Sequence, residues 1–233
     1  MPDFFALTGP GRPPANGGPA RRLVILLHGY GADGNDLIGL APHLAQVLPD
    51  AAFVSPDAPF PCEMAPYGRQ WFGLTDRQPA TMLAGTRMAA PILDAFIDDQ
   101  LAAHGLTDDA LALVGFSQGT MMALHVALRR ARPCAAVLGY SGRLIGAEVL
   151  ADEIAVRPPV FLVHGDADPM VPVASLADAV AGLEAVGLSV DSHVCPGLGH
   201  GIDGDGLALG ARFLVSSLTP TGDRADADMK ADD

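Results

Sequence analysis

Short apolar runs recur along the chain, and longer amphipathic stretches separate them. The runs "LVILL", "LALVGF" and "VFLV" contain no alternating polar positions. Such continuous runs are typical of strands in a parallel sheet that helices cover on both faces. The stretches between them, of which the segment from Thr81 to His104 is the longest, have the pattern of helices. We therefore predict an α/β fold: a doubly wound, mostly parallel sheet of about six or seven strands, with helices on both faces and no large cap domain.

The two ends of the chain differ in composition from its centre. Residues 9–20, "GPGRPPANGGPA", are largely Gly and Pro, so we predict a flexible leader over residues 1–21. Residues 219–233 carry five Asp and almost no apolar residues, which predicts a disordered acidic tail. Residues 22–218 then form a single domain. The irregular segment from Pro59 to Ala80 is long enough to be a functional loop.

Charge and cysteine content exclude several classes of protein. The formal charge is -13 and Lys230 is the single lysine, so no basic patch is expected to bind nucleic acid or an anionic membrane. No apolar run reaches about 18 residues and no signal-peptide pattern is present, which predicts a cytoplasmic protein without integral membrane contact. Cys62, Cys134 and Cys195 lie far apart, which favours free thiols over a disulfide framework.

A glycine stands two positions to each side of Ser117 in "GFSQG", between a predicted strand and the predicted helix that begins "MMALHVALRR". In this context G-x-S-x-G matches a nucleophile elbow, a tight turn in which Gly115 and Gly119 let strand and helix approach closely. The hydroxyl would then stand at the carboxyl end of a strand, where ligands bind in open α/β sheets. The same pattern also arises by chance in a chain with 27 glycines. The hypothesis therefore needs a base and an acid.

Candidates for both follow Ser117 in the chain. Asp166 and Asp168 end a predicted strand in "VFLVHGDADPMVP", and His200 lies in the Gly-rich loop "GLGHGI" after the last predicted strand. A serine nucleophile needs an imidazole to take its proton and a carboxylate to orient that imidazole. Taken singly, each aspartate is equally consistent with a cap or turn, and the histidine with an ordinary loop residue. Their joint occurrence at strand ends, in this order, indicates acyl-transfer chemistry.

Four motifs together, "LHGYGADGNDL", "GFSQG", "HGDADPMVP" and "GLGHGI", resemble the phospholipase/carboxylesterase family of α/β-hydrolases, which includes the acyl-protein thioesterases. The resemblance extends over roughly residues 22–218. It implies that Ser117 is the nucleophile, Asp168 the orienting acid and His200 the general base and acid. Asp166 would then be structural.

The resemblance also implies an oxyanion hole. The matching donors are the backbone N–H groups of Tyr30, in the loop "HGYG" after the first core strand, and of Gln118. Glycines beside Tyr30 let main chain approach a substrate closely. The alternative for this loop is a plain strand-to-helix connection capped by Asn35 or Asp36.

Trp71 and Phe72 resemble a segment that borders the acyl-binding groove in this family, which implies a substrate-binding role. A core position is an equally good interpretation for the only tryptophan of a chain. Two departures from the family pattern are Thr120, where a glycine is frequent, and Gly73, near which eukaryotic thioesterases tend to carry an acidic residue. The second departure bears on the substrate rather than on the mechanism.

The resulting prediction is a serine carboxylesterase that hydrolyses short- to medium-chain carboxylic esters through an acyl-enzyme, with no cofactor and no metal. A lysophospholipase or an acyl-protein thioesterase would use the same triad. A non-catalytic binding module with this fold is the alternative of another class. A metal hydrolase lacks a supporting H-E-x-x-H pattern.

Two further expectations concern thiol chemistry and partners. A thiol hydrolase based on Cys195 is less favoured, because this residue ends a strand instead of standing at an elbow, as expected of a small buried residue. The expected partner is a small-molecule ester. The apolar loop residues Phe60, Met64 and Tyr67 offer a surface for a homodimer.

Overall fold

The computed structural model describes residues 6–219, in which helices flank one large sheet and a separate two-stranded hairpin. The strands are β1 Gly11–Arg12, β2 Arg22–Leu27, β3 Ala51–Val54, β4 Phe60–Pro61, β5 Arg69–Gln70, β6 Leu111–Phe116, β7 Ala136–Tyr140, β8 Val160–Gly165 and β9 Val190–Cys195. The helices are α1 Gly34–Leu37, α2 Ala41–Leu44, α3 Pro79–His104, α4 Gln118–Ala127, α5 Ala147–Glu153, α6 Ala174–Glu184 and α7 Gly204–Leu218.

The large sheet has the order β1-β3-β2-β6-β7-β8-β9. The strands from β3 to β9 along this order pair in parallel, and β1 pairs antiparallel with β3 at one edge. After β2 the chain adds β3 on one side, and β6 then joins β2 on the other side. This confirms the predicted doubly wound, mostly parallel sheet. It also places a topological switch point between β2 and β6, where open α/β sheets form their binding crevice.

Residues of the central strands alternate between two apolar cores. In β2, Leu23, Ile25 and Leu27 face a core that includes α3, α4 and α6. Val24 and Leu26 face a second core that includes α1, α2 and α7. Because both faces of the sheet are buried, the strands have no solvated face, which explains their continuous apolar runs. Helix α4 is buried along its whole length, so the turn that leads into it is held on all sides.

The structure differs from the sequence-based predictions outside the central strands. Part of the predicted flexible leader joins the sheet as β1, and the N–H of Ser55 donates to the carbonyl of Pro10. The amphipathic stretch of residues 35–48, which follows the first core strand, is broken into α1, a 3₁₀ turn and α2, since Gly39 and Pro42 interrupt it. The segment 59–80 contains the hairpin β4–β5. Apart from Thr219, the predicted acidic tail lies outside the described residues.

Within residues 6–219, no helix combines the length and apolar character needed to cross a membrane.

Candidate active site

Ser117 occupies the turn between β6 and α4, next to the switch point of the sheet. Its backbone has φ 55° and ψ -114°, a conformation that an L-residue adopts only under constraint. The N–H of Ser117 donates to the carbonyl of Tyr140 in β7 at 2.9 Å. The hydroxyl of Thr120 lies 2.8 Å from the carbonyl of Gly115 and 2.9 Å from that of Tyr140. These bonds tie the strained turn to two strands.

The two glycines of the turn have no room for a side chain. A Cβ on Gly119 would overlap the backbone oxygen of Leu27 in β2, and a Cβ on Gly115 would overlap the backbone N of Thr120. The elbow geometry inferred from G-x-S-x-G is therefore enforced by contact between main chains. Thr120, one of the two departures from the family pattern, is buried against Gly139 and Gly142 and fills the space that these glycines leave.

The side chains of Ser117, His200 and Asp168 form a continuous chain of hydrogen bonds. The Nε2 atom of His200 lies 3.0 Å from Ser117 Oγ, and its Nδ1 atom lies 2.7 Å from Asp168 Oδ2. Because a carboxylate accepts, Nδ1 carries the imidazole proton, and the lone pair of Nε2 faces the serine hydroxyl. The structure thus brings together three predicted residues that are 83 and 32 positions apart along the chain.

Asp168, rather than Asp166, is the carboxylate that faces His200. Its Oδ1 atom accepts from the N–H groups of Met170 and Val171 at 2.8 and 2.9 Å. Burial acts to raise the pKa of Asp168, but the hydrogen bonds from His200 and from these two N–H groups outweigh it, so the pKa lies below its ordinary value. Asp166 instead accepts from the N–H of Gly197 at 2.6 Å, in the turn after β9.

A second buried histidine stands behind Asp168. The Nε2 atom of His164 lies 2.8 Å from the carbonyl of Val171 and 3.3 Å from Asp168 Oδ2. Since the carbonyl accepts, Nε2 carries a proton, which also points toward the carboxylate. His164 thereby connects Asp168 to the segment that follows it. The sequence analysis gave this histidine no role in the site.

The loop that carries His200 is held mainly by contacts from other segments. The hydroxyl of Ser141, at the end of β7, donates to the carbonyl of Gly201 at 3.3 Å. The N–H of Ala167 donates to the carbonyl of Leu198 at 3.0 Å. The ring of Phe116 packs against the imidazole of His200, with 4.9 Å between the ring centroids. These contacts explain why His200 meets Ser117 despite lying in an irregular, Gly-rich loop.

The loop after β2 presents a backbone donor beside the serine. Within residues 6–219, neither the N–H of Tyr30 nor that of Gln118 donates to a protein acceptor, and both Tyr30 and Ser117 line the same cleft. Residue Gly29 lies close enough to Ser117 that an added Cβ would be 3.4 Å from the serine Cβ. The N–H of Gly31 donates to the carbonyl of Arg69 at 2.9 Å, which anchors this loop on the hairpin β4–β5.

The fully buried side chain of His28 also holds the loop after β2 in place. Its Nδ1 atom lies 2.7 Å from the carbonyl of Gly29, and its Nε2 atom accepts from the N–H of Ala58 at 2.9 Å. Only the neutral ring, with its proton on Nδ1, satisfies both partners. Burial lowers the pKa of His28 from its ordinary value, which keeps the ring in that state.

Trp71 and Phe72 do not line the cleft, and this corrects the substrate-binding role that the resemblance implied. Their side chains are 0% and 1% exposed and belong to the core that includes α3 and α4. The indole N–H of Trp71 donates to the carbonyl of His28 at 3.0 Å. The side chain of Gln118 accepts from the N–H of Trp71 at 2.9 Å and donates to the carbonyl of Phe72 at 2.8 Å. These residues brace the loop after β2 instead of contacting a ligand.

A cleft of about 200 Å³ opens over Ser117 and His200. Its apolar lining comes from different parts of the chain and includes Leu74, Met82, Phe116, Met121, Met170 and Val171. Its charged lining groups are Asp36, Arg77 and Arg143. None of these residues was predicted to line the site, although Phe116 and Met170 lie within the quoted motifs. Arg143 follows the end of β7. Because ligands bind at the carboxyl ends of strands in open α/β sheets, this position could have been selected from the sequence.

Several other sequence-based expectations concern cysteines, metals and exposed apolar residues. Burial raises the pKa of the Cys195 thiol to about 11. Among the described residues, no group of three or more His, Cys, Asp or Glu side chains is arranged to hold a metal ion. Met64 and Tyr67 are exposed, the latter to 95%, whereas Phe60 packs partly against the core.

The sequence and the fold of this chain are similar to those of known proteins. A family model described as phospholipase/carboxylesterase matches residues 14–218. Esterase YpfH of Escherichia coli (strain K12) is 27% identical over 201 residues, which are 86% of this chain and 82% of that protein. Acyl-protein thioesterase 1 of Gibberella zeae is 30% identical over 121 residues, about half of each chain. The crystal structure of esterase PE8 matches with a TM-score of 0.87 and 43% identity, over 91% of this chain and 99% of that one.

Proposed function

Since the chain belongs to the phospholipase/carboxylesterase family, a family of carboxylic ester hydrolases with the α/β-hydrolase fold, we propose that it is a serine carboxylesterase acting on short- to medium-chain esters. Ser117 is the nucleophile, His200 the general base and acid, and Asp168 the group that orients the imidazole. The observation that carries the proposal is the chain of hydrogen bonds through these residues, with distances of 3.0 and 2.7 Å.

In the acylation step, Ser117 Oγ attacks the ester carbonyl carbon while Nε2 of His200 takes the hydroxyl proton. The carbonyl oxygen becomes an oxyanion, which the N–H groups of Tyr30 and Gln118 stabilise. The carbon–oxygen bond to the alcohol then breaks, and His200 returns the proton to the leaving oxygen. Asp168 stabilises the imidazolium that forms in between, and its lowered pKa keeps it ionised.

In the deacylation step, a water molecule replaces the alcohol. His200 removes one water proton as the water oxygen attacks the acyl carbon, and the same two N–H groups hold the second oxyanion. The bond to Ser117 Oγ breaks, and His200 returns the proton to the serine. The products are a carboxylic acid and the unaltered enzyme.

The size of the cleft supports an acyl group of modest length. A volume of about 200 Å³ is below the roughly 300–1,000 Å³ of pockets that take drug-sized ligands. An acyl thioester is the second candidate substrate. What favours it is the similarity to an acyl-protein thioesterase, and the same serine chemistry would cleave either bond.

Labelling by a fluorophosphonate, followed by peptide mapping, tests the nucleophile. We expect the label on Ser117, and we expect Ser117→Ala to lose labelling and at least about 10⁴-fold in kcat with p-nitrophenyl esters. The matched control is Ser192→Ala at an exposed position of β9, which should keep both. Thiol chemistry would instead be supported by two results together: inactivation by iodoacetamide with the modified residue mapped to Cys195, and fluorophosphonate labelling that persists in Ser117→Ala.

The two aspartates provide a second matched pair. We expect Asp168→Asn to lower kcat by about 10⁴-fold, because the asparagine favours the wrong imidazole tautomer. Asp166→Asn changes a turn that does not touch His200, so esterase activity should persist. A series of p-nitrophenyl esters and matched thioesters of increasing acyl length then ranks the two substrate candidates.

A further inference from the structure

Two arginines line the cleft without an opposite charge. Within the described residues, no carboxylate lies within 4.0 Å of the guanidinium of Arg77 or Arg143, whereas Arg22, Arg129 and Arg130 each have a carboxylate partner. The chain as a whole has a formal charge of -13, so carboxylates are not scarce. The cleft therefore carries two arginines against one carboxylate, that of Asp36, in a protein whose net charge is negative.

Arg143 is the more telling of the two, because it is partly buried. Its only side-chain hydrogen bond among the described residues goes to Ser175 Oγ at 3.5 Å, the outer limit for such a bond. A guanidinium carries five N–H donors, and most of those of Arg143 have no protein acceptor. None of its unpaired donors is buried, so they are accessible to an anion that enters the cleft.

Arg69 is the other partly buried arginine without a carboxylate, and it serves as an internal comparison. It lies in β5, on the hairpin behind the loop after β2, and it does not line the cleft. Its Nη2 lies 3.5 Å from the carbonyl of Pro59, and its Nε is buried without a partner among the described residues, so its side chain is part of the packing behind the hairpin. Arg143, in contrast, lines the cleft.

The fold places both guanidinium groups close to the reacting atoms. Arg143 follows β7, whose last residue, Tyr140, pairs with Phe116 directly before Ser117. Arg77 precedes α3 and is exposed, and its one side-chain bond in the structure goes to the carbonyl of Leu74 at 3.4 Å. The carboxylate of the cleft, Asp36, belongs to α1 after the loop of Tyr30. The cleft thus combines a hydrolytic centre, apolar walls and two available guanidinium groups.

We propose that the preferred ester carries a carboxylate group, which Arg143 and Arg77 bind while Ser117 attacks the carbonyl. This inference rests on the proposed function and adds the substrate class to it. The planar guanidinium matches a carboxylate with paired hydrogen bonds, which makes arginine suited to this recognition. The anion lies on either the acyl half or the alcohol half of the ester.

Two pairs of esters test the inference, each differing by one charge at nearly constant shape. The acyl-side pair is the phenyl monoester of glutaric acid and the phenyl ester of glutaramic acid, which replaces the carboxylate by a carboxamide. The alcohol-side pair is the butyrate ester of glycolate and that of glycolamide. The measured quantity is the ratio of kcat/KM for the anionic ester to that for its neutral partner, at pH 7.5 and low salt.

We expect a ratio above 1 in at least one pair, and we expect the double variant Arg77→Gln, Arg143→Gln to lower that ratio at least tenfold. Raising the salt concentration to 0.5 M should lower it in the unaltered protein as well. If the variant lowers the ratio in the acyl-side pair, the anion belongs to the acyl half of the ester. If it lowers the ratio in the alcohol-side pair, the anion belongs to the alcohol half. Arg77→Gln alone, at an exposed position, should lower the ratio at least threefold and keeps the test valid if the double variant does not fold.

Arg212→Gln is the matched control. Arg212 is exposed on α7, away from the cleft, so its replacement changes the net charge as much as Arg77→Gln does and should leave both ratios unchanged. Equal losses on both members of each pair, or an equal effect of Arg212→Gln, would overturn the inference while leaving the esterase intact. Loss of all four activities in Ser117→Ala is expected, and their persistence in that variant would remove the proposed function and the inference together.

Discussion

The turn of Ser117 and the loop of His200 both present a side chain at the carboxyl rim of the sheet, and both have flanking glycines, yet they are built differently. Around Ser117, a Cβ on either Gly115 or Gly119 would overlap backbone atoms. Around His200, a Cβ on Gly199 or Gly201 would meet nothing within 4 Å. Glycine is thus required by close packing in the turn and not in the loop.

The difference separates two ways of positioning a reactive group. The turn is fixed by main-chain contact with β2 and by the buried helix α4, so its geometry follows from the local sequence. The loop is fixed by single side-chain and backbone bonds from distant segments, such as that of Ser141 to Gly201. We therefore expect substitutions near Ser117 to act on the stability of the whole domain. Those near His200 should act on it weakly.

Gly119→Ala is the strongest test of this contrast. The added methyl group would overlap the carbonyl oxygen of Leu27 in a central strand, where the backbone cannot move without breaking the sheet. We expect the free energy of unfolding to fall by more than about 4 kcal/mol, measured by urea denaturation, or the soluble protein to be lost. A fall below about 1 kcal/mol would contradict the contact as described.

Gln118→Ala tests how the turn is coupled to the segment behind it. The substitution keeps the backbone N–H of residue 118 but leaves the N–H of Trp71 and the carbonyl of Phe72 buried without partners. At about 1–3 kcal/mol for each of the two unsatisfied groups, we expect a loss of about 2–6 kcal/mol in urea denaturation. Gln46→Ala is the matched control, because it removes the same atoms at an exposed position of the chain. A loss as large as that of Gln118→Ala would contradict this account.

Much of the fold and the reactive centre could be predicted from sequence, because the signals were local. The apolar runs marked the parallel strands, since both faces of the sheet are buried. The glycines around Ser117 marked the elbow, because no other residue fits there. The assignment of Ser117, Asp168 and His200 as a triad stays a prediction, and so does the oxyanion role of Tyr30 and Gln118. The hydrogen bonds described above support both.

What the sequence did not reveal depends on contacts between distant segments. Trp71 is a core residue, and its backbone N–H donates to the side chain of Gln118, 47 positions away. No local sequence pattern indicates such a contact. The position of Arg143 after β7 was readable from the sequence, but the lack of a carboxylate within 4.0 Å of it among the described residues depends on how distant segments pack. Residues 9–20 have a composition typical of a flexible segment, yet part of this segment forms β1 and pairs with β3. Without β1, β3 would be an exposed edge strand, and a short strand is enough to cover it.

Acidification should lower the free energy of unfolding through a histidine in α4, the helix that follows the Ser117 turn. His125 lies in α4, is 3% exposed, and burial together with the charge of Arg129 lowers its pKa from 6.5 to about 4. Between these two pH values the unfolded chain binds a proton at His125 and the folded chain does not, so stability falls as the pH falls. At about 1.36 kcal/mol per pKa unit, the loss is on the order of 3 kcal/mol.

Urea denaturation of His125→Gln between pH 7 and pH 4 measures this contribution. The variant should lose less stability over that range than the unaltered protein, because one group with a lowered pKa is gone. His43→Gln, at an exposed position of α2, is the matched control and should leave the pH dependence unchanged. An identical pH dependence in His125→Gln and the unaltered protein would show that His125 does not take part in it.

Gly201→Ala is the counterpart of Gly119→Ala and the smallest effect expected. The residue has no atom within 4 Å of an added Cβ, and its φ lies outside the left-handed region. Alanine restricts the unfolded chain more than glycine does, so we expect the free energy of unfolding to rise by up to about 1 kcal/mol in urea denaturation. A loss of more than about 1 kcal/mol would mean that the loop of His200 is packed as tightly as the turn of Ser117. In that case the two regions would not differ in the way that their glycines indicate.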